Sequence, residues 1–165
     1  MKASKILLTC IICFLVVSFT YGQTSYSFND GLNAAKSSGK KVLLYIYTSS
    51  DNWCKKMDSE VFTSDKVKNA LSDFIFIKLN AGGSDKYKFD NKEYTSGELA
   101  KKFGGTGYPT FAVLNSDGSP ISFKYNGENT SSLSGFLGDK DMTEMLNYFT
   151  QNKFKDTDIS TIFAN

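Results

Sequence analysis

Histidine is absent from the 165-residue chain, and so is arginine: all 19 basic residues are lysine. Without histidine there is no Ser-His-Asp or Cys-His relay to activate a nucleophile, and a principal zinc ligand is missing. Without arginine there is no planar bidentate clamp for phosphate or carboxylate. Cysteine and proline are scarce, with three and two residues. What remains calls for no metal and no cofactor.

Long apolar runs are also few, and the one that stands out is N-terminal. Lys2 and Lys5 precede Ile6 to Phe19, an almost unbroken apolar stretch, and Thr20-Tyr21-Gly22 is a polar, small-residue exit. This is the plan of a secretory signal peptide, residues 1–22, cleaved after Gly22. The run falls short of the ~20 residues that a membrane span needs. Thr9 and Ile12 do not supply the small residue that a lipoprotein signal places before its cysteine. The mature chain, 23–165, is expected to be exported to the periplasm or the extracellular space, with no membrane association after cleavage.

Cleavage changes the balance of charge and thiols. Removing Lys2 and Lys5 from the 19 basic residues leaves 17, against 17 acidic ones. A formal charge of zero argues against nucleic acid or an anionic membrane surface as partner, since both need a clustered basic face. Cys10 and Cys13 leave with the leader, so Cys54 stays alone. An odd thiol in an exported chain is buried, reactive or paired to another chain. About 143 mature residues suit one compact domain.

Ser27-Phe28-Asn29-Asp30 reads as a capped helix start, with Phe28, Leu32 and Ala35 on one face and Gly39 as its stop. The stretch 41-KVLLYIY-47 is a strand buried on both faces, and 74-FIFIKLN-80 is a second. Between them Cys54, Met57 and Val61, then Val67, Ala70 and Leu71, recur at helical spacing, with a break near Thr63-Ser64-Asp65. A polar loop is expected over 81-AGGSDKYKFDNKEY-94, followed by a capping-box helix from Thr95 to Gly104-Gly105. Then come two hairpin-linked strands, 110-TFAVLN-115 and 120-PISFKY-125. A closing helix starts near Asp139 with Met142, Met145, Leu146 and Phe149 on one face, and a last helical turn docks through Ile159, Ile162 and Phe163. Strand–helix–strand demands parallel pairing and the later pair antiparallel, which makes a small mixed sheet flanked by helices.

Two segments resemble the thioredoxin superfamily, more closely its secreted and periplasmic members whose site reads W-C-x-x-C-K-K-M followed by E-V-F. They are 55-KKMDSEVF-62 and 104-GGTGYPTFAVLNSDG-118, and the resemblance spans the mature domain. It implies a thioredoxin-like α/β fold and a cis bond before Pro109, whose backbone faces the active-site thiols and offers an edge for extended peptide. Proline directly before a buried strand fits that role, since its missing N–H is tolerated only at a strand start.

The family works with two cysteines and this chain has one. In the ungapped register from strand 41–47 into Lys55-Lys56-Met57, Asp51 takes the nucleophile's position and Cys54 the resolving position, so the site reads Asp51-Asn52-Trp53-Cys54. The alternative register makes Cys54 the nucleophile but requires a deletion after it. An aspartate cannot attack a disulfide, yet it is among the best helix N-caps. Where the family keeps a buried acid on its first strand, Tyr45 stands here. Trp53 either stacks on bound peptide or covers the core edge. Lys55 and Lys56 either lower the thiol's pKa or are simply solvated, and Tyr87, Phe89 and Tyr94 either cover the site or pack on the sheet. Asn129-Thr130-Ser131 matches a glycosylation sequon.

Two function classes follow. One is a non-catalytic module that binds extended polypeptide or a protein partner through Asp51, Asn52, Trp53, Tyr108 and Pro109. The other is a monothiol oxidoreductase or isomerase in which Cys54 forms mixed disulfides that an external thiol resolves.

Overall fold

The structure, a computed structural model, describes residues 24–163; the expected leader, with Cys10 and Cys13, lies outside them. Helix α1 (Phe28–Ser38) starts at Ser27, whose hydroxyl accepts from the Asp30 N–H, and stops at Gly39 in the left-handed conformation. Strand β1 (Lys41–Tyr47) follows, then α2 (Asn52–Lys56), a π-helical turn (Met57–Val61) and α3 (Asp65–Leu71). Strand β2 (Phe74–Asn80) leads to a hairpin of β3 (Lys86–Phe89) and β4 (Lys92–Thr95), then α4 (Ser96–Lys102) with a complete Thr95/Glu98 capping box. Next are β5 (Thr110–Leu114), β6 (Phe123–Tyr125), β7 (Glu128–Thr130), β8 (Ser132–Ser134) and α5 (Asp139–Thr150). Two 3-10 turns end the described chain, Lys153–Lys155 and Ile159–Ile162.

The central sheet has the order β2-β1-β5-β8, with β1 parallel to β2 and antiparallel to β5, and β5 antiparallel to β8. Alternation along each strand divides the apolar residues between two cores. Leu43, Tyr45, Phe74, Phe76, Phe111 and Val113 face Cys54, Met57, Val67, Met145, Leu146 and Phe149 on one side. Val42, Leu44, Ile46, Ile75, Ile77, Leu79, Ala112 and Leu114 face Phe28, Leu32, Leu99 and Phe103 on the other. Burying each such Leu, Ile or Phe side chain stabilises the fold by about 1.5–3 kcal/mol. Gly31 lets α1 lie close on β2, since a β-carbon there would overlap the Cγ1 and Cδ1 of Ile77.

The mixed sheet is as expected, but two connections differ. The segment 81–94 is not a plain loop: Lys86–Phe89 and Lys92–Thr95 pair through a turn at Asp90-Asn91, both at positive φ. Segment 120–125 turns back antiparallel on β5 only at its start, and does not pair along its length. It touches β5 through a Leu114–Pro120 bridge and the Ile121 N–H donated to the Val113 carbonyl, and then β6 pairs with β7. The Asn126-Gly127 turn, again at positive φ, supplies the closure that favours this pairing.

Candidate functional site

The helix that follows β1 is held at its head by Asp51. Its carboxylate Oδ1 accepts the Cys54 N–H at 2.8 Å, and Asp51 itself stays extended, as an N-cap does. This bond, with the Trp53 N–H and the nearby Lys55, holds the Asp51 carboxyl below its usual range. Asn52 and Trp53 point outward, and Trp53 is 53% exposed. Cys54, the third residue of α2, turns inward and is 1% exposed.

Cys54 is the free cysteine among the described residues. Burial pushes its thiol upward, outweighing the Thr48 N–H and the Tyr45 hydroxyl, which act in the opposite sense; the Asp51 carboxylate adds to the rise. Neither condition for a reactive thiol, exposure and a lowered pKa, is met. The Tyr45 hydroxyl donates to the Cys54 carbonyl at 3.2 Å, and burial drives the Tyr45 phenol far above its ordinary value. Tyr45 therefore serves as a neutral donor in the position where the resemblance expects an acid. Over its ring lies the Lys78 ammonium, 5.5 Å from the centroid and paired with Asp58 of the π-helical turn.

Pro109 is buried and enters β5 after a cis Tyr108–Pro109 bond. Its carbonyl accepts the Gly135 N–H at 2.8 Å. Thr110, also buried, donates from Oγ1 to the Gly107 carbonyl and pairs with the Ser134 hydroxyl, both at 2.7 Å, which fixes the segment ahead of β5.

These residues are brought together by the sheet register. Ile46 lies opposite Thr110, so the end of β1, which leads into Asp51, and the start of β5 share one end of the sheet. A second link runs through the loop after β8. Gly135 holds Pro109, and the next residue, Phe136, packs on Trp53 with ring centroids 5.1 Å apart. The Lys56 ammonium lies 5.8 Å from the Trp53 ring and 5.1 Å from the Phe136 ring. Phe136 was not legible as a site residue, because it sits in an irregular loop and acts only through this tertiary contact. Tyr108 is half-buried and packs against both cores.

Tyr87, Phe89 and Tyr94 do not cover Cys54. They pack with the other core, Tyr87 and Phe89 edge-on against Phe28, on the α1 and α4 side of the sheet. Lys55 reaches the Ser50 carbonyl at 3.4 Å and Lys56 sits 3.8 Å from Glu60. Asn129 is exposed on β7.

The fold has solved counterparts. A thioredoxin-fold protein from Helicobacter pylori superposes with a TM-score of 0.58 at 17% identity, over 77% of this chain and 82% of that one. A DsbH oxidoreductase gives 0.53 at 16% identity over 94% and 96%. A disulphide isomerase from Xylella fastidiosa gives 0.52 at 20% identity over 74% and 87%. Among curated protein sequences none matches the chain. The family model for a thioredoxin-like domain matches residues 28–150, and with that match spanning most of its length, the chain belongs to the thioredoxin-like domain family.

Proposed function

We propose that the chain is an exported thioredoxin-like module that binds an extended polypeptide, or an extended segment of a protein partner, without exchanging disulfides itself. The carrying observation is the state of its thiol. Cys54 is enclosed in the core, its pKa is raised, and an N-capping carboxylate stands at the head of the helix in front of it. A dithiol cycle needs a second cysteine and a thiolate that substrate can reach. What the site retains is a surface: exposed Asn52 and Trp53, half-buried Tyr108, and the Pro109 entry to β5. The backbone of Tyr108 takes no part in the turn and loop hydrogen bonds of the described residues, which leaves one residue's donor and acceptor for a passing strand.

Export rests on the N-terminal apolar segment. Among the described residues, no helix is long and apolar enough to cross a membrane. The balanced charge of the mature chain speaks for a polypeptide over nucleic acid or an anionic bilayer.

The test is the alkylation rate of Cys54 in the folded mature chain from about pH 4 to pH 10, against the same thiol in denaturant, whose midpoint lies near ~8.5. Slow labelling that appears only on unfolding is the expected result. Rapid labelling of the folded chain with a midpoint well below that value would overturn the reading in favour of the monothiol oxidoreductase.

A further inference from the structure

The polypeptide-binding reading leaves open which peptides the site selects, and the inference drawn here rests on that reading. We infer that the ledge of Asp51, Trp53 and Phe136 selects extended segments carrying a lysine or arginine at the position that passes over Asp51. Three features at this end of the sheet converge on a cation.

The first is a fixed anion. Oδ1 of Asp51 accepts the Cys54 N–H and the Trp53 N–H lies close by, while the side chain stays half-buried, so the carboxylate is anchored without being enclosed. The helix N–H groups hold its carboxyl below the usual range, so it is ionised at neutral pH, where lysine and arginine are charged. The second is an aromatic pair, Trp53 and Phe136, whose rings lie 5.1 Å apart and 40° from parallel, with over half of Trp53 open to solvent. An ammonium or guanidinium group over such a ring is attracted by its quadrupole. The third is the chain's own use of that pair. Lys56 already holds its ammonium within 6 Å of both centroids, which shows that the two rings together receive a cation from the helix side.

The surrounding lysines do not reverse this preference. Lys55 is directed at the Ser50 carbonyl and Lys56 lies beside Glu60, so each has a partner within the chain. With Asp51 and Glu60 the local charges cancel, and selection follows from placement rather than from net charge. A glutamate over Asp51 would meet a held like charge, whereas lysine or arginine gains the carboxylate and the open face of Trp53 together. The site would thus make an ion pair where the two-cysteine members of the superfamily present a thiol.

Trp53 is the chain's single tryptophan, so its fluorescence reports on this ledge alone. The full mature chain is titrated, by fluorescence and by calorimetry, with short acetylated peptides that differ only at one central residue: lysine, arginine, glutamate or alanine. The lysine and arginine peptides are expected to bind about fivefold more tightly than the alanine peptide at low salt. That margin should shrink at ~0.5 M salt, where exposed charges are screened. Asp51→Asn, which preserves the helix cap, should remove most of the lysine peptide's advantage over the alanine peptide, the remainder being the Trp53 face. Equal binding of all four peptides, or tighter binding of the glutamate peptide, would overturn this inference and leave the polypeptide-binding reading standing. Binding of none would overturn both. Should Asp51→Asn fail to fold, the peptide series and its salt dependence in the unaltered chain still decide the matter.

Discussion

Asp51 has a structural role in this fold that stands apart from the recognition role proposed for it. As an N-cap it satisfies the Cys54 N–H, one of the donors that a helix start leaves open. Asp51→Ala should therefore lower the thermal midpoint by a few degrees, while Asp51→Asn should leave it nearly unchanged; a pair of calorimetric melts checks this. An equal loss for asparagine and alanine would mean that the carboxylate's charge, not its capping geometry, holds the helix. The capping role was readable from residue type and position alone. That Cys54 turns toward the core was readable as well, from its place at the head of the apolar stripe with Met57 and Val61, but helical spacing does not fix how far the thiol is covered. That depends on residues such as Tyr45 and Phe111, which β1 and β5 bring into the same core.

At the scale of elements, the β6–β7 hairpin depends on a residue far along the chain. Asp158 accepts from the N–H groups of Asn126 and Gly127 at the turn, and from the N–H and hydroxyl of Ser160 in the last 3-10 turn. These bonds, the Ser160 hydroxyl foremost, lower its pKa from 3.8 to about 2. Because the folded value lies below the unfolded one, this contribution to stability is complete above about pH 4 and disappears as pH falls through 2. Denaturant unfolding followed from neutral pH into acid should show the corresponding loss, and Asp158→Asn should flatten that part of the profile. An unchanged acid limb in the variant would show that the clamp contributes nothing.

Element boundaries followed their local signals wherever those were strong. Gly39, the Thr95–Glu98 box and the apolar runs of β1 and β2 lie where the pattern places them. The β3–β4 hairpin escaped notice because its strands are four residues each and rich in lysine. Its formation rests on the Tyr87–Tyr94 cross-strand pair and on Phe89 packing against Phe28 and Phe103. Segment 120–125 misled for a related reason. Its alternation fits a strand, but whether it pairs with β5 or β7 is settled by the Asn126-Gly127 turn.

The whole molecule is a sheet with a core on each face, closed on the Cys54 side by α5 and the final turn. Ile159 is fully buried there among Met142, Tyr148 and Phe149, and Tyr148 donates its hydroxyl to the Thr157 carbonyl at 2.7 Å. The final turn is thus part of the core rather than an appendage. Ile159→Ala is expected to cost about 2–4 kcal/mol, measurable as a lower urea midpoint at unchanged slope. A cost below about 0.5 kcal/mol would mean that the turn only rests on the surface. The sequence pattern points to docking through Ile159, Ile162 and Phe163, and the structure places that turn there; how deeply Ile159 sits depends on its packing beside α5, which the pattern does not fix.

Under the proposed function, the enclosure of Cys54 would also set the tempo of whatever this site holds. An enzyme that captures its target through a bond between sulfurs keeps it until another thiol intervenes, so dwell time follows the local reductant supply. A ledge of carboxylate, aromatic rings and backbone lets go at a rate fixed by its own contacts. Its complexes would form and disperse alike in oxidising and reducing surroundings, and would escape any search that relies on freezing thiol adducts.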